Sequence, residues 1–302
     1  MVAHDPLNWI RKQTCMTETI TATTDNAEQI AYWNSAVADR WAKRQADIDA
    51  MMAPFTQALL GAANLSPNET LRILDVGCGS GETTLMAAGL GHDLTGVDVS
   101  TSLLNLAKAR ATTAGLPSIE FLLGDASNMA VDPKVDLIIS RFGVMFFDDP
   151  EQAFRNLAEI TKPAGRIVFV CWRSPQQNQW VTVPMSALDG LVVSGSAPQD
   201  NAPGPFAFAD PAKISRVLSG AGYGDIKITP FDGDMVMGGS RGLQDAARYL
   251  TEIGPAARAI AELPQDLRPV VFARLETISI PYMRDTSLVL QGSVWVVEAV
   301  RI

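Results

Sequence analysis

The stretch "RILDVGCGSGETTLM", residues 72–86, decides the fold. It opens inside a continuous apolar run, "LRILDV" (71–76), of strand length. Gly77, Gly79 and Gly81 then fall at alternate positions, and a helical pattern runs from Gly81 to about Leu90. Glycines at such a turn let the backbone reverse sharply and approach a ligand closely. The helix start behind them offers N–H groups that have no partner within the helix.

The same alternation continues outward. "DLTGVDV" (93–99) reads as a strand, and Ser100 caps a helix carrying Leu103, Leu104, Ala107 and Ala111. "IEFLLG" (119–124) and "KVDLIIS" (134–140) are strands. In "DDPEQAF", Asp149 is placed to cap a helix, with Pro150 at its first position and Glu151 in its first turn. Ala153, Phe154, Leu157 and Ala158 share one face, "KPAG" ends the helix, and "RIVFVCW" (166–172) is a fifth strand. Strands buried on both faces, each followed by a helix, predict an α/β protein with a doubly wound, mostly parallel sheet.

Around this core the pattern predicts a helical cover over 27–61, with Pro54 starting a second helix or kinking the first. Residues 173–205 read as loop or lid, residues 240–277 as helical, "DIKITPFD" as a strand and "GSVWVVEAV" as the last strand. There is no internal repeat, so 27–302 reads as one domain with a cofactor-binding core over 70–172. Substrate-side insertions over 173–205 and 240–285 complete it. Residues 1–26 read as a disordered leader without a signal-peptide centre, and Met16 is an alternative start.

Of the 302 residues 47 % are hydrophobic, enough for a sizeable core. A net charge of −9 argues against nucleic acid as the main partner. Cys15, Cys78 and Cys171 show neither metal nor disulfide spacing, so no metal is expected and a reduced, cytoplasmic compartment fits. No apolar run reaches the ~18 residues of a membrane span. The expected partner is a small molecule, for a monomer or homodimer.

A glycine loop alone is a weak signal. The rival is a nicotinamide dinucleotide fold, which wants G-x-G-x-x-G for its pyrophosphate. Counted from Gly77 the sixth position is Glu82, and from Gly79 it is Thr84, so the spacing fails in both registers. Asp75 and Glu82 also put negative charge beside the loop, which suits a cationic ligand.

"ILDVGCGSGETTL" resembles motif I of the class I S-adenosylmethionine-dependent methyltransferases. The likeness extends from about residue 27 to 302 and covers an ordered set of motifs. "SRFGVMFF" followed by "DP" and "PAGRIVFVCWR" is similar to the ubiquinone/menaquinone-type small-molecule branch. The resemblance implies a Rossmann-like, seven-stranded sheet with an antiparallel last strand, S-adenosylmethionine as cofactor, and methyl transfer to a small molecule. The acceptor atom is open among oxygen, carbon, nitrogen and sulfur. The sequence lacks the N/D-P-P-Y/F of enzymes that methylate planar nitrogens.

Carried over residue by residue, the resemblance places Asp75, Gly77, Cys78, Gly79 and Gly81 around the cofactor. Asp98, 17 residues after Gly81, and Val99 stand at the ribose, while Asp125 and Ala126 stand at the adenine. Ser100 already supplies the helix cap beside Asp98. Arg141, at the end of the fourth strand, joins the cofactor set, and Phe142 and Met145 are candidates for the methyl or substrate region. Trp33 and Trp41 on the N-terminal cover, and Trp172, Trp180 and Phe206 on the substrate side, complete the candidates, although helical spacing also suits core packing for the first two. Cys78 reads as a small spacer. His4 and His92 stand away from the site, and no catalytic base is named. Two other readings are a non-catalytic cofactor-binding or scaffold subunit and an NAD(P)-dependent oxidoreductase.

Overall fold

Alternating strand and helix signals become one twisted sheet flanked by helices in a computed structural model that describes residues 26–191 and 202–302. The readings on His4, Cys15, Met16 and most of the leader lie outside the described residues, as do residues 192–201 of the expected lid. The strands are β1 (Arg72–Val76), β2 (Asp93–Asp98), β3 (Glu120–Leu123), β4 (Val135–Arg141), β5 (Thr161–Trp172), β6 (Tyr223–Met237) and β7 (Ser287–Arg301). Their order is β3-β2-β1-β4-β5-β7-β6, and a two-residue strand, Met283–Arg284, also pairs with β7. The first five run parallel, and β7 is antiparallel to both β5 and β6.

The helices are α1 (Ala27–Trp33), α2 (Ala36–Lys43), α3 (Gln45–Ala63), α4 (Glu82–Gly89), α5 (Thr101–Thr113) and α6 (Pro150–Ile160). After β5 come α7 (Gln179–Ser186), α8 (Pro211–Gly220), α9 (Leu243–Leu250), α10 (Pro255–Ala261) and α11 (Arg268–Ser279). The caps on α5, α6 and α8 follow the sequence: Ser100, Asp149 and Asp210 each accept a backbone N–H of the first turn.

Side chains of β5 alternate between the two faces of the sheet. Phe169 meets Phe154 of α6 and Phe208, whereas Trp172 meets Phe55 of α3. Two glycines make the α3 contact possible. A Cβ at Gly233 would stand 2.9 Å from Pro54, and one at Gly292 would stand 2.6 Å from the Phe55 ring. Arg166 then caps the far end of α3 by donating to the Ala63 carbonyl at 2.6 Å.

Four expectations change. The 27–61 cover is three helices, broken at Asn34–Ser35 and at Arg44. Pro54 does not start a helix: it sits inside α3 and packs against Gly233. Strand β5 begins at Thr161, so "KPAG" belongs to a strand with a register shift against β4. The 173–205 segment contains α7, whose start is held by fully buried Asn178 through the Ser293 backbone.

Candidate functional site

The glycine turn is built from β1 outward. Gly77 and Cys78 both donate to the Val97 carbonyl, at 2.9 and 3.1 Å, so the turn continues the β1–β2 ladder. All three glycines have positive φ: 69°, 54° and 84° at Gly77, Gly79 and Gly81. Their surroundings differ. A Cβ on Gly77 would lie 2.7 Å from Gly143 Cα, and one on Gly81 would lie 3.1 Å from Ala107 Cβ. A Cβ on Gly79 would meet nothing within 4 Å. The first and third glycines serve packing, and the middle one leaves open space where the backbone can face a ligand. Ser140 clamps the turn to the end of β4, donating to the Val76 carbonyl and accepting from the Gly143 and Val144 amides.

Asp75 is fully buried beneath the turn. Its Oδ2 accepts from the hydroxyls of Thr83 and Thr84, which ties the first turn of α4 back to β1. Its Oδ1 is buried with no hydrogen-bond partner among the described residues. Burial raises its pKa despite the two threonines. Cys78 is buried, and burial next to Asp98 and Asp75 pushes its thiol well up, as suits an inert spacer.

Asp98 ends β2. Its two oxygens accept from Gly79 N and Ser100 N, each at 2.8 Å, which leaves lone pairs on both. Burial raises its pKa to about 6. Asp125 follows β3, where Oδ1 accepts from Ser127 N at 2.9 Å. Its Oδ2 is buried without a partner among the described residues. Asn156 of α6 donates to the Ala126 and Met129 carbonyls and so holds this loop in place. The buried, unpartnered acceptor at Asp125, the lone pairs at Asp98 and the open face of Gly79 fit an adenosine with an attached arm.

The loop is also surrounded by charge that the sequence reading missed. Arg110 of α5 donates through one nitrogen to Ser80 O and Oγ, at 2.8 and 3.2 Å. Through the other it binds Asp49 of α3 at 2.8 Å and Glu82 of α4 at 2.5 Å. Glu82 is therefore neutralised, which corrects its expected role as a free negative charge. Burial pushes Glu82 up, but Asp49 and Arg110 pull it below the usual range; burial and the bond to Glu82 raise Asp49 to about 6. Arg141, at the end of β4, donates to Thr56 Oγ1 at 2.7 Å and interacts with Asp49, Asp75 and Glu82.

The aromatic candidates fall into two groups. Trp33 packs edge-on against Trp41 and Phe146, with centroids 5.4 and 5.5 Å away. Asn34 donates to the Val99 carbonyl at 2.8 Å and accepts from Thr101 N. The α1–α2 elbow thus touches the segments that follow β2 and β4, the two strands that flank β1 in the sheet. In the second group Phe142 stacks on Trp172 at 4.2 Å, Trp172 meets Trp180 at 4.7 Å, and Trp180 stacks on Phe206 at 6.0 Å. Phe142 has φ 66°, a strained conformation for a bulky residue at a strand end. Met145 is buried in the core. His92 accepts from Leu71 N at the opposite end of β1. A surface depression of about 690 Å³ between α7 and α11 shares no residue with either group.

Residues 74–169 match the family described as a methyltransferase domain. An uncharacterized protein of Mycobacterium tuberculosis is 34 % identical over 123 residues, 40 % of this chain and 44 % of that protein. The match thus spans less than half the length of that relative. A demethylmenaquinone methyltransferase of Paenarthrobacter aurescens is 28 % identical over 174 residues, 55 % of this chain and 67 % of that protein. In three dimensions the chain resembles the magnesium protoporphyrin IX methyltransferase of Synechocystis with bound S-adenosylhomocysteine, with a TM-score of 0.54 and 15 % identity. The likeness covers 92 % of this chain and 100 % of that one. At that identity the likeness shows the Rossmann-like fold alone.

Proposed function

We propose that this chain, whose residues 74–169 form a methyltransferase domain of that family, transfers a methyl group from S-adenosylmethionine to a small-molecule acceptor. One observation carries the reading. Strands β3, β2 and β1 are neighbours in that order, and their carboxyl ends carry Asp125, Asp98 and the glycine turn. With strands about 4.8 Å apart, the three positions follow the length of an adenosine and its arm. Asp125 Oδ2 accepts from the adenine amino group with Ala126 beside it, Asp98 and Val99 hold the ribose, and Gly77–Gly81 border the arm.

S-adenosylmethionine supplies an activated methyl, whose bond to sulfur breaks with its electron pair as the bond to the acceptor forms. The protein's part is alignment and exclusion of water. Alignment alone can supply about 7–11 kcal/mol of barrier reduction. Arg141 and Phe142 stand at the end of β4, next in the sheet after the turn, and half-buried Trp180 and Phe206 extend an apolar wall backed by buried Trp172. Trp33 and Trp41 hold the elbow over the turn. We assign no general base, because no histidine among the described residues reaches this region. We read 27–302 as one domain with a 70–172 core, acting as a monomer or homodimer in the cytoplasm.

Incubating the protein with methyl-labelled S-adenosylmethionine and a metabolite extract tests the reading. Label in an extract component that depends on the protein is the expected result. Tight cofactor binding with no transfer to any fraction would favour a non-catalytic subunit instead.

A further inference from the structure

The charged group beside the glycine turn is more than a brace. Three carboxylates (Asp49, Asp75 and Glu82) meet two guanidiniums (Arg110 and Arg141), and Asp98 adds a fourth carboxylate across the turn. Two of the carboxylate oxygens, Asp49 Oδ1 and fully buried Asp75 Oδ1, receive no hydrogen bond from an N–H or hydroxyl donor of the described residues. A buried acceptor without a donor is costly and is normally satisfied. A net negative cluster with two orphaned acceptors calls for a cation that can donate hydrogen bonds. No group of three His, Cys, Asp or Glu among the described residues could hold a metal ion, so an ammonium is the better match.

Asp49 is fastened to the turn itself. Arg110 links its Oδ2 to Ser80, the residue between Gly79 and Gly81. Gln45, one turn earlier on α3, donates to the same oxygen. Thr56 lies seven residues further along α3, on the same face, and holds Arg141. One face of α3 therefore looks onto the turn where the arm of the cofactor is assigned.

We propose that Asp49 is a specificity-determining residue of this site, its Oδ1 accepting an N–H of the α-ammonium on the aminocarboxypropyl arm of S-adenosylmethionine. The inference rests on the cofactor reading above. It extends the site beyond residues 74–169 to the preceding helix. It also explains how the cofactor couples α3 to the glycine turn, since Asp49 reaches the turn through Arg110.

Calorimetric titration of wild type and Asp49→Asn with three probes tests it. S-adenosylhomocysteine carries the whole arm, decarboxylated S-adenosylmethionine keeps the ammonium, and 5′-methylthioadenosine lacks the arm. Asp49→Asn is expected to weaken the first two by roughly 10- to 100-fold, the effect of losing a charge-assisted hydrogen bond, and to leave the third within about twofold. Equal weakening of all three, or of none, overturns the inference and leaves the cofactor reading standing. Failure of wild type to bind any of them overturns both.

A pH series adds a wild-type readout. The groups facing Asp49 are Gln45, Glu82, Arg110 and Arg141. As pH falls through about 6, the preference for S-adenosylhomocysteine over methylthioadenosine should shrink in wild type and stay flat in Asp49→Asn. Asp98 acts on the ribose common to both probes, so it cancels in this ratio. An unchanged slope in the variant overturns the assignment.

Discussion

Replacing Gly79 by alanine separates the two duties of the glycine turn. At φ 54° an alanine costs about 1–2 kcal/mol relative to glycine, because its Cβ crowds the following carbonyl. Nothing else opposes the methyl, since its nearest neighbours are beyond 4 Å. The protein should fold with a melting temperature lower by roughly 2–6 °C. The methyl would project into the space assigned to the cofactor, so S-adenosylhomocysteine affinity should fall by more than about tenfold. Gly77→Ala is the control. It carries a similar backbone cost and also drives its Cβ to 2.7 Å from Gly143 Cα, where both partners are backbone. Overpacking of that kind adds about 1–3 kcal/mol, so this variant should lose more stability. Thermal melts and calorimetric titration of both proteins supply the numbers. Gly79→Ala that binds the ligand like wild type, or that melts below Gly77→Ala, refutes the division of labour.

Three further predictions follow from the same geometry. Asp125→Asn replaces the unpartnered acceptor by a group that can present a donor to the adenine amino group; adenosine-containing ligands should weaken about tenfold with the melting temperature kept, as titration and melting can check. Asp98 has its pKa raised by burial from 3.8 to about 6, so the folded state binds the proton more tightly than the unfolded chain. Its contribution to stability is full below pH 3.8 and is lost as pH rises through 6, about 3 kcal/mol at most. Ligand binding should run the other way, weakening below pH 6 as the ribose acceptor is protonated, and Asp98→Asn should flatten both profiles. Asn34→Ala removes the tethers to Val99 and Thr101, so S-adenosylhomocysteine should dissociate several-fold faster in stopped-flow tryptophan fluorescence with little change in stability.

The core of the fold was legible because its signals are local. A continuous apolar run, a cap such as Ser100 or Asp149 and a glycine turn each declare themselves within a few residues. The cofactor residues proposed at the ends of β1, β2 and β3 are likewise strand-end positions, readable by counting. What escaped depends on docking between distant helices. Asp49 and Arg110 are unremarkable residues on two separate helices until α3 and α5 meet across the loop, 61 residues apart in sequence. The charge of Glu82 was misjudged for the same reason, since the guanidinium that neutralises it comes from α5. Pro54 looked like a helix start because Gly233, which receives it, lies far along the chain in β6. Helix α7 hid because Pro, Ser, Asn and Gln residues surround it and its start is held by Asn178 through the Ser293 backbone, 115 residues away.

The central claim is that the ends of β3, β2 and β1 hold an S-adenosyl group. Calorimetric titration of the wild-type protein with S-adenosylmethionine, alongside NADH as the rival, tests it most directly. The account predicts saturable one-site binding of S-adenosylmethionine, lost in Asp98→Ala while that variant stays folded, and no heat from NADH. Saturable NADH binding, or no S-adenosylmethionine binding at high micromolar concentration, would contradict it.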